Sequence, residues 1–403
     1  MRGAFKIATV LIAALLAGGP AAALEQAPRG DAAALLGADA QGDNWTASPV
    51  VRSDGFVWIF TVNTSYGAFQ VNGLRRMKDR AQELRALGLL EKMSRSKAFG
   101  AALVKAGLAP IRFGRDLVLD PFETVGNLLS GVGKMFDTVV AGAKNPDGSR
   151  DPLLDSITGV TKVERELALE LKVDPYSDYS PLRAGLKDVA QVTALGSLPV
   201  TAGISFITGG AGIAASSAST ASNVSNMVYS RTAREVTEIV IKKLTALGVD
   251  AAVVKAFAAN RFYSPADAIA MAEALERLGA SDVSAFVANA ATAFSFDVAK
   301  FNRFRTELLA RDSARLGALK AFVPVSGFVL NIDGAGRLVA AFPFDALFWT
   351  DAVSRSLTRL SAAATAQHPK RPKLFASAGA LSPTAQAELK KLGWQILKLD
   401  APG

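Results

Sequence analysis

The stretch "PKLFASAGALSPTAQAELKKLGWQILKLD" (residues 372–400) decides how the chain's last part folds. The run KLFAS reads as a strand, Ser382-Pro383 supplies the N-cap and first-turn proline of a helix, and the run beginning WQILK reads as a second strand. Strand, helix and strand in that order are the β-α-β unit, the connection a parallel pair requires. Just upstream, "LKAFVPVSGFVLNIDGAGRLVAAFPF" alternates and turns at Asp333-Gly334, the pattern of a β-hairpin, and a helix is expected from 345 to about 364. Residues 313–403 are therefore expected to form a small α/β unit.

Working outward, "NWTASPVVRSDGFVWIFTVNTSYGAFQVNG" clusters Val, Ile, Phe and Thr between turns at Ser53-Asp54-Gly55 and Tyr66-Gly67. Residues 45–73 are read as a β-hairpin or three-strand meander that could extend the C-terminal sheet. From Leu74 the period changes: Leu74, Met77, Ala81, Leu84 and Leu87 share one helical face, with charges opposite. Asp120-Pro121 carries the N-cap and proline signals for a helix running through "GKMFDTVVAGA". Further helices are expected at 162–171, 182–194, 232–247, 265–278, 282–293 and 297–310, several ending in Leu-Gly. No fixed repeat appears, so residues 74–312 read as a body of short helices. The fold class is α+β, mainly α: a short-helix bundle with N-terminal strands and a C-terminal α/β unit.

Inside that body, residues 189–230 contain no Asp, Glu, Lys, Arg or His, although charged residues make up 20% of the chain. The Gly/Ser-rich hairpin expected there could pack within protein or enter lipid. Leu195, Leu198, Ile204, Phe206, Ile207 and Ile213 are its candidate ligand or membrane contacts. Its many small and hydroxylated residues favour close helix packing and supply little transfer energy into lipid, so burial is the first expectation. Gly210-Ala211-Gly212-Ile213-Ala214-Ala215 matches a dinucleotide fingerprint formally, but no β-α-β alternation surrounds it and no cofactor is expected.

The N-terminal residues "MRGAFKIATVLIAALLAGGPAAALEQ" combine Arg2 and Lys6, an apolar run and small residues ending Ala21-Ala22-Ala23. This is a signal-peptide pattern over residues 1–23, with cleavage expected after Ala23 and a flexible leader at 24–44. The predicted location is periplasmic or secreted, in a bacterial envelope. The chain has 45 basic and 36 acidic residues, and loss of Arg2 and Lys6 leaves a net charge near +7. The basic residues are scattered, so nucleic acid is not an expected partner, whereas an anionic membrane surface or an envelope protein is compatible. There is no cysteine, which removes disulfides, thiol nucleophiles and thiolate metal sites together.

Catalytic signatures are sparse. His368, the sole histidine, sits in the polar stretch AQHPKRPKL, which suits neither a triad nor a histidine-based metal site. Ser94 and Lys97 match S-x-x-K, but the pattern reads better as a junction between helices capped by Ser94 or Ser96. Asp174 and Asp178 in "KVDPYSDYSP" are candidate metal ligands, with capping by Asp178 or Ser180 of the helix beginning at Pro181 as the plainer role. Ser377 and Gly379, ahead of a helix, could offer backbone amides to an anion. The expectation is thus an exported, non-catalytic binding or structural protein. The alternatives are a carboxylate-dependent hydrolase acting on an envelope polymer and a carrier of a small apolar or lipid ligand.

Overall fold

The computed structural model describes residues 24–107, 130–141, 160–196 and 226–400, and among them it is an α+β fold with two large, separate sheets and one two-stranded sheet. The first sheet is antiparallel and uses strands β1 (Arg29–Asp31), β2 (Gln41–Gly42), β3 (Trp45–Ala47), β4 (Val50–Ser53), β5 (Trp58–Thr64) and β6 (Gly67–Asn72). Strand β5 is its spine. One edge pairs along its length with β6, and β3 and β4 share the other edge, separated by Pro49, which has no N–H to contribute to a ladder. The turns expected at 53–55 and 66–67 are the ones observed.

Residues 24–44 correct the sequence reading. Instead of a flexible leader, they supply strands β1 and β2 and the short helix α1 (Ala32–Leu36), capped by Asp31, which accepts from Ala34 N at 2.8 Å. Their alternation is too short to stand out from sequence, and β1 gains its order by pairing with β4. The N-terminal strands also keep a sheet of their own and do not extend the C-terminal one.

Helix α2 (Leu74–Ser94) buries Met77, Ala81, Leu84, Leu87 and Leu90, the face its period predicted. Helix α3 (Lys97–Ala106) follows, and Ser96 accepts from Phe99 N as its N-cap, in agreement with the helix-junction reading. Next come α4 (Gly131–Ala141), α5 (Lys162–Glu170), α6 (Ser180–Gly196), α7 (Asn226–Ser230), α8 (Ala233–Ala246), α9 (Ala251–Ala258), α10 (Pro265–Leu278), α11 (Val283–Ala290) and α12 (Phe296–Arg311). Reciprocal capping boxes at Thr161/Glu164, Thr232/Glu235 and Ser264/Asp267 set the starts of α5, α8 and α10. Helix α9 was not among the helices expected from sequence.

The second sheet has the order β13-β11-β9-β8-β7. Strands β7 (Leu319–Val325), β8 (Phe328–Asp333) and β9 (Leu338–Phe342) form an antiparallel meander, with turns at Ser326-Gly327 and after Asp333. Strands β9, β11 (Lys373–Ser377) and β13 (Trp394–Lys398) run parallel, joined through α13 (Asp351–Gln367) and α14 (Pro383–Lys391). All of β9 is buried, as expected for a parallel strand enclosed on both faces. The helix expected from 345 begins only at Asp351, capped by Thr350. The preceding residues include β10 (Ala346–Leu347), which pairs with β12 (Ala380–Leu381).

An aromatic cluster joins the parts. Phe136 of α4 lies 4.8 Å from both Phe56 and Phe328 and 5.4 Å from Phe344, between ring centroids. Rings from the first sheet's turn, from α4 and from the second sheet therefore share one core, consistent with a single buried cluster that includes all of them.

Candidate functional site

Three parts of the fold meet around a cleft of about 570 Å³. Asn72, Gly73 and the first turn of α2 form one wall, α10 and α12 form a second, and residues following β9 and β11 close the third. A cleft at the carboxyl ends of parallel strands is the usual ligand position in open α/β sheets, and this volume suits a small molecule.

Two glycines shape it. Gly73 has φ +106°, a conformation strained for L side chains, and there it turns the chain from β6 into α2. Gly379 lies so close to the chain after β9 that an added Cβ would stand 2.1 Å from the Asp345 carbonyl oxygen. The glycine read as a possible anion-binding element is thus required for backbone approach, and its loop lines the cleft.

Asp345 is the central polar group. Its Oδ2 accepts the N–H of Trp58 at 2.9 Å and that of Leu74 at 2.8 Å. Because Gly73 has no side chain to cap α2, this carboxylate, distant in sequence, serves one of the helix's orphan donors. The group is enclosed by protein except toward the cleft, and burial pushes its pKa up to about 7. The two N–H bonds oppose that rise, and the nearby Asp54 charge adds to it. Asp297, on the same cleft, accepts from Asn72 Nδ2 at 2.6 Å and pairs with Arg76 at 3.2 Å. Burial nevertheless raises its pKa, with the Arg76 charge pulling the other way. Asp297 and Asp345 therefore hold the segment Asn72-Gly73-Leu74 from two sides.

Behind this wall lies a buried ion network. Arg76 and Arg80 both bind Asp178, Arg80 also pairs with Glu83 at 2.6 Å, and Asp267 takes Lys300 at 2.7 Å and Arg303 at 2.9 Å. Burial disfavours the Asp178 charge, but Arg76 and Arg80 outweigh it and hold the carboxyl well below its ordinary range. Glu83 is raised, by burial first and by the Asp178 charge besides.

The cleft's own charges divide into engaged and free. Arg75 pairs with Glu307 at 2.5 Å while its guanidinium lies over the Phe304 ring, 4.0 Å from the centroid. Arg311 is bound to Asp312. Lys78 and Arg277 line the cleft and make no ion pair among the described residues. Phe301, Phe304, Phe344, Val132 and Leu308, all largely buried, form the apolar wall behind the cleft, so the site sets free cations against an apolar wall.

Apart from Gly379, the residues singled out from sequence fall elsewhere. Asp174 accepts from Tyr176 N at 2.8 Å and Ser264 Oγ at 2.8 Å, and burial raises its pKa. Asp178 is engaged by two arginines of α2 instead of capping α6. Among the described residues, no group of three or more His, Cys, Asp or Glu is placed to hold a metal ion. Leu195 is described and exposed, near the end of α6. Leu198, Ile204, Phe206, Ile207 and Ile213 lie outside the described residues, as do residues 1–23. Among the described residues no helix is long and apolar enough to cross a membrane. Asp345 was missed, although an acidic residue directly after an apolar strand, as in LVAAFPFD, is a usable signal for a strand-end site.

No family model, curated protein or solved structure matches the chain, so its function is read from the chemistry of this cleft.

Proposed function

We propose that this is an exported binding protein whose cleft between α2, α10, α12 and the ends of β9 and β11 takes a small anionic ligand with an apolar body. The observation that carries the reading is the pairing of free cations, Lys78 and Arg277, with apolar surface from Phe301, Phe304 and Phe344 in one cavity. Cations already satisfied by internal carboxylates add little attraction for a ligand, whereas free ones meet an incoming anion without first breaking a bond. The carrier role considered from sequence thereby moves from residues 195–213 to this cleft. Export rests on the signal pattern of residues 1–23, and an envelope protein or anionic membrane surface stays the proposed partner class beyond the ligand.

Anilinonaphthalene sulfonate, a fluorescent anion with flat aromatic rings, tests the reading. Residues 24–403 should bind it saturably, and Lys78→Glu with Arg277→Glu should weaken binding by about tenfold, the scale of a charge-assisted contact. Equal binding by the double variant would remove the reading.

Carboxylate-dependent hydrolysis is the second reading, favoured by Asp345 and Asp297 lining the same cleft with both carboxyls raised by burial. A group titrating near 7 suits a general acid or base. That reading requires Asp345→Asn to abolish turnover of a substrate while its binding persists.

A further inference from the structure

Three of the cleft's carboxylates differ in how they are neutralised. Asp297 is paired with Arg76, and Glu307 with Arg75 and Arg303. Asp345 has no cation partner among the described residues. Both of its backbone bonds fall on Oδ2, and Oδ1 makes no hydrogen bond with a described residue. An enclosed carboxylate without a counter-charge is costly, and a partner arriving with a ligand would relieve that cost.

The free cations share its cavity. Lys78 lies four positions beyond Leu74, whose N–H is bound by Asp345, and that interval is about 6 Å along a helix axis. Arg277 reaches the same cavity from the last turn of α10. Neither cation forms an ion pair with Asp345, and all three groups line one cavity.

We infer that the ligand is bipolar: an anionic group held by Lys78 and Arg277, a small apolar body between the charged groups, and an ammonium group donating to Asp345 Oδ1. This rests on the cleft being a binding site at all. It adds the ligand's second charge and assigns Asp345 as the residue that selects it. A purely anionic ligand would leave the enclosed carboxylate uncompensated and add a like charge to the cavity, so discrimination between the two classes is built into the lining.

The test compares para-aminomethylbenzoate with para-methylbenzoate, which share a carboxylate and an aromatic ring and differ in the distal ammonium. Titration calorimetry at pH 8 on residues 24–403 should show the aminomethyl compound binding about tenfold more tightly. Asp345→Asn keeps an oxygen able to accept the Trp58 and Leu74 N–H bonds, and it should erase that preference while binding para-methylbenzoate at least as tightly as the wild type, since the like charge is gone. Equal or tighter binding of para-methylbenzoate by the wild type would overturn the bipolar assignment, as would a preference that survives Asp345→Asn. Failure of both benzoates with anilinonaphthalene sulfonate still bound would end the bipolar inference alone. Failure of all three probes would end the cleft reading with it.

Discussion

The Asp345 carboxylate accepts the backbone N–H of Leu74, 271 positions earlier in the chain, at 2.8 Å. One side chain of the second sheet's strand-end loop thus starts a helix packed on the first sheet, and the same side chain lines the cleft. The position of α2's first turn, with Arg75, Arg76 and Lys78, depends on that contact.

Asp345→Ala should therefore be more damaging than the loss of one side chain suggests. Two enclosed N–H donors, from Trp58 and Leu74, would lose their acceptor. A cost on the order of 2–4 kcal/mol follows, measurable by urea unfolding. Asp345→Asn, which retains an acceptor, should show no such loss.

The pH dependence has a definite sign. The Asp345 carboxyl is raised from 3.8 to about 7 in the folded protein, so the native state keeps a proton that the unfolded chain releases. Its stabilising contribution is complete below pH 4 and is lost as the pH rises through 7. The Asn variant removes this titration. It should unfold at nearly the wild-type temperature at pH 4 and at a higher one at pH 8, by calorimetry. A lower melting temperature for Asp345→Asn at pH 8 would show that the ionised carboxylate is favoured at the start of α2.

Arg76→Met tests the buried network. It leaves Asp178 with Arg80 alone and takes away the ion partner of Asp297. Breaking a buried pair from one side costs about 3–5 kcal/mol, and thermal unfolding should show it. Asp297→Asn combined with Arg76→Met should recover part of that loss, since one unpaired charge is then gone.

Gly379→Ala should be among the most harmful single-methyl changes in the chain. The added carbon would need the Asp345 backbone to withdraw from 2.1 Å to ordinary contact. A loss of about 3 kcal/mol or more, with weakened probe binding, is expected because the displaced atoms carry the cleft's carboxylate.

Local features were legible in the sequence, and distant ones were not. Ser264-Pro265 and Leu278-Gly279 bound α10 where the capping grammar places them, and the β-α-β order of 372–400 is the parallel pair β11 and β13. Arg76 and Arg80 read as part of a solvated charged face, because sequence shows their spacing but not Asp178, 102 and 98 positions away. Asp174 and Asp178 drew notice as acids in a proline-rich loop, yet their partners come from α2 and α10. Asp345 was hidden for the same reason: its donors lie 287 and 271 positions back. Residues 29–42 misled in the other direction, since Ala- and Gly-rich composition suggested a leader and pairing with β3 and β4 gives it order.

The most direct test of the cleft as the binding site is hydrogen exchange of residues 24–403 with and without anilinonaphthalene sulfonate at saturation. Protection concentrated in residues 72–78, 270–277, 301–311, 343–345 and 378–379 is the predicted result, because these segments line the cavity. Unchanged exchange in all of them, with protection elsewhere in the chain, would contradict it.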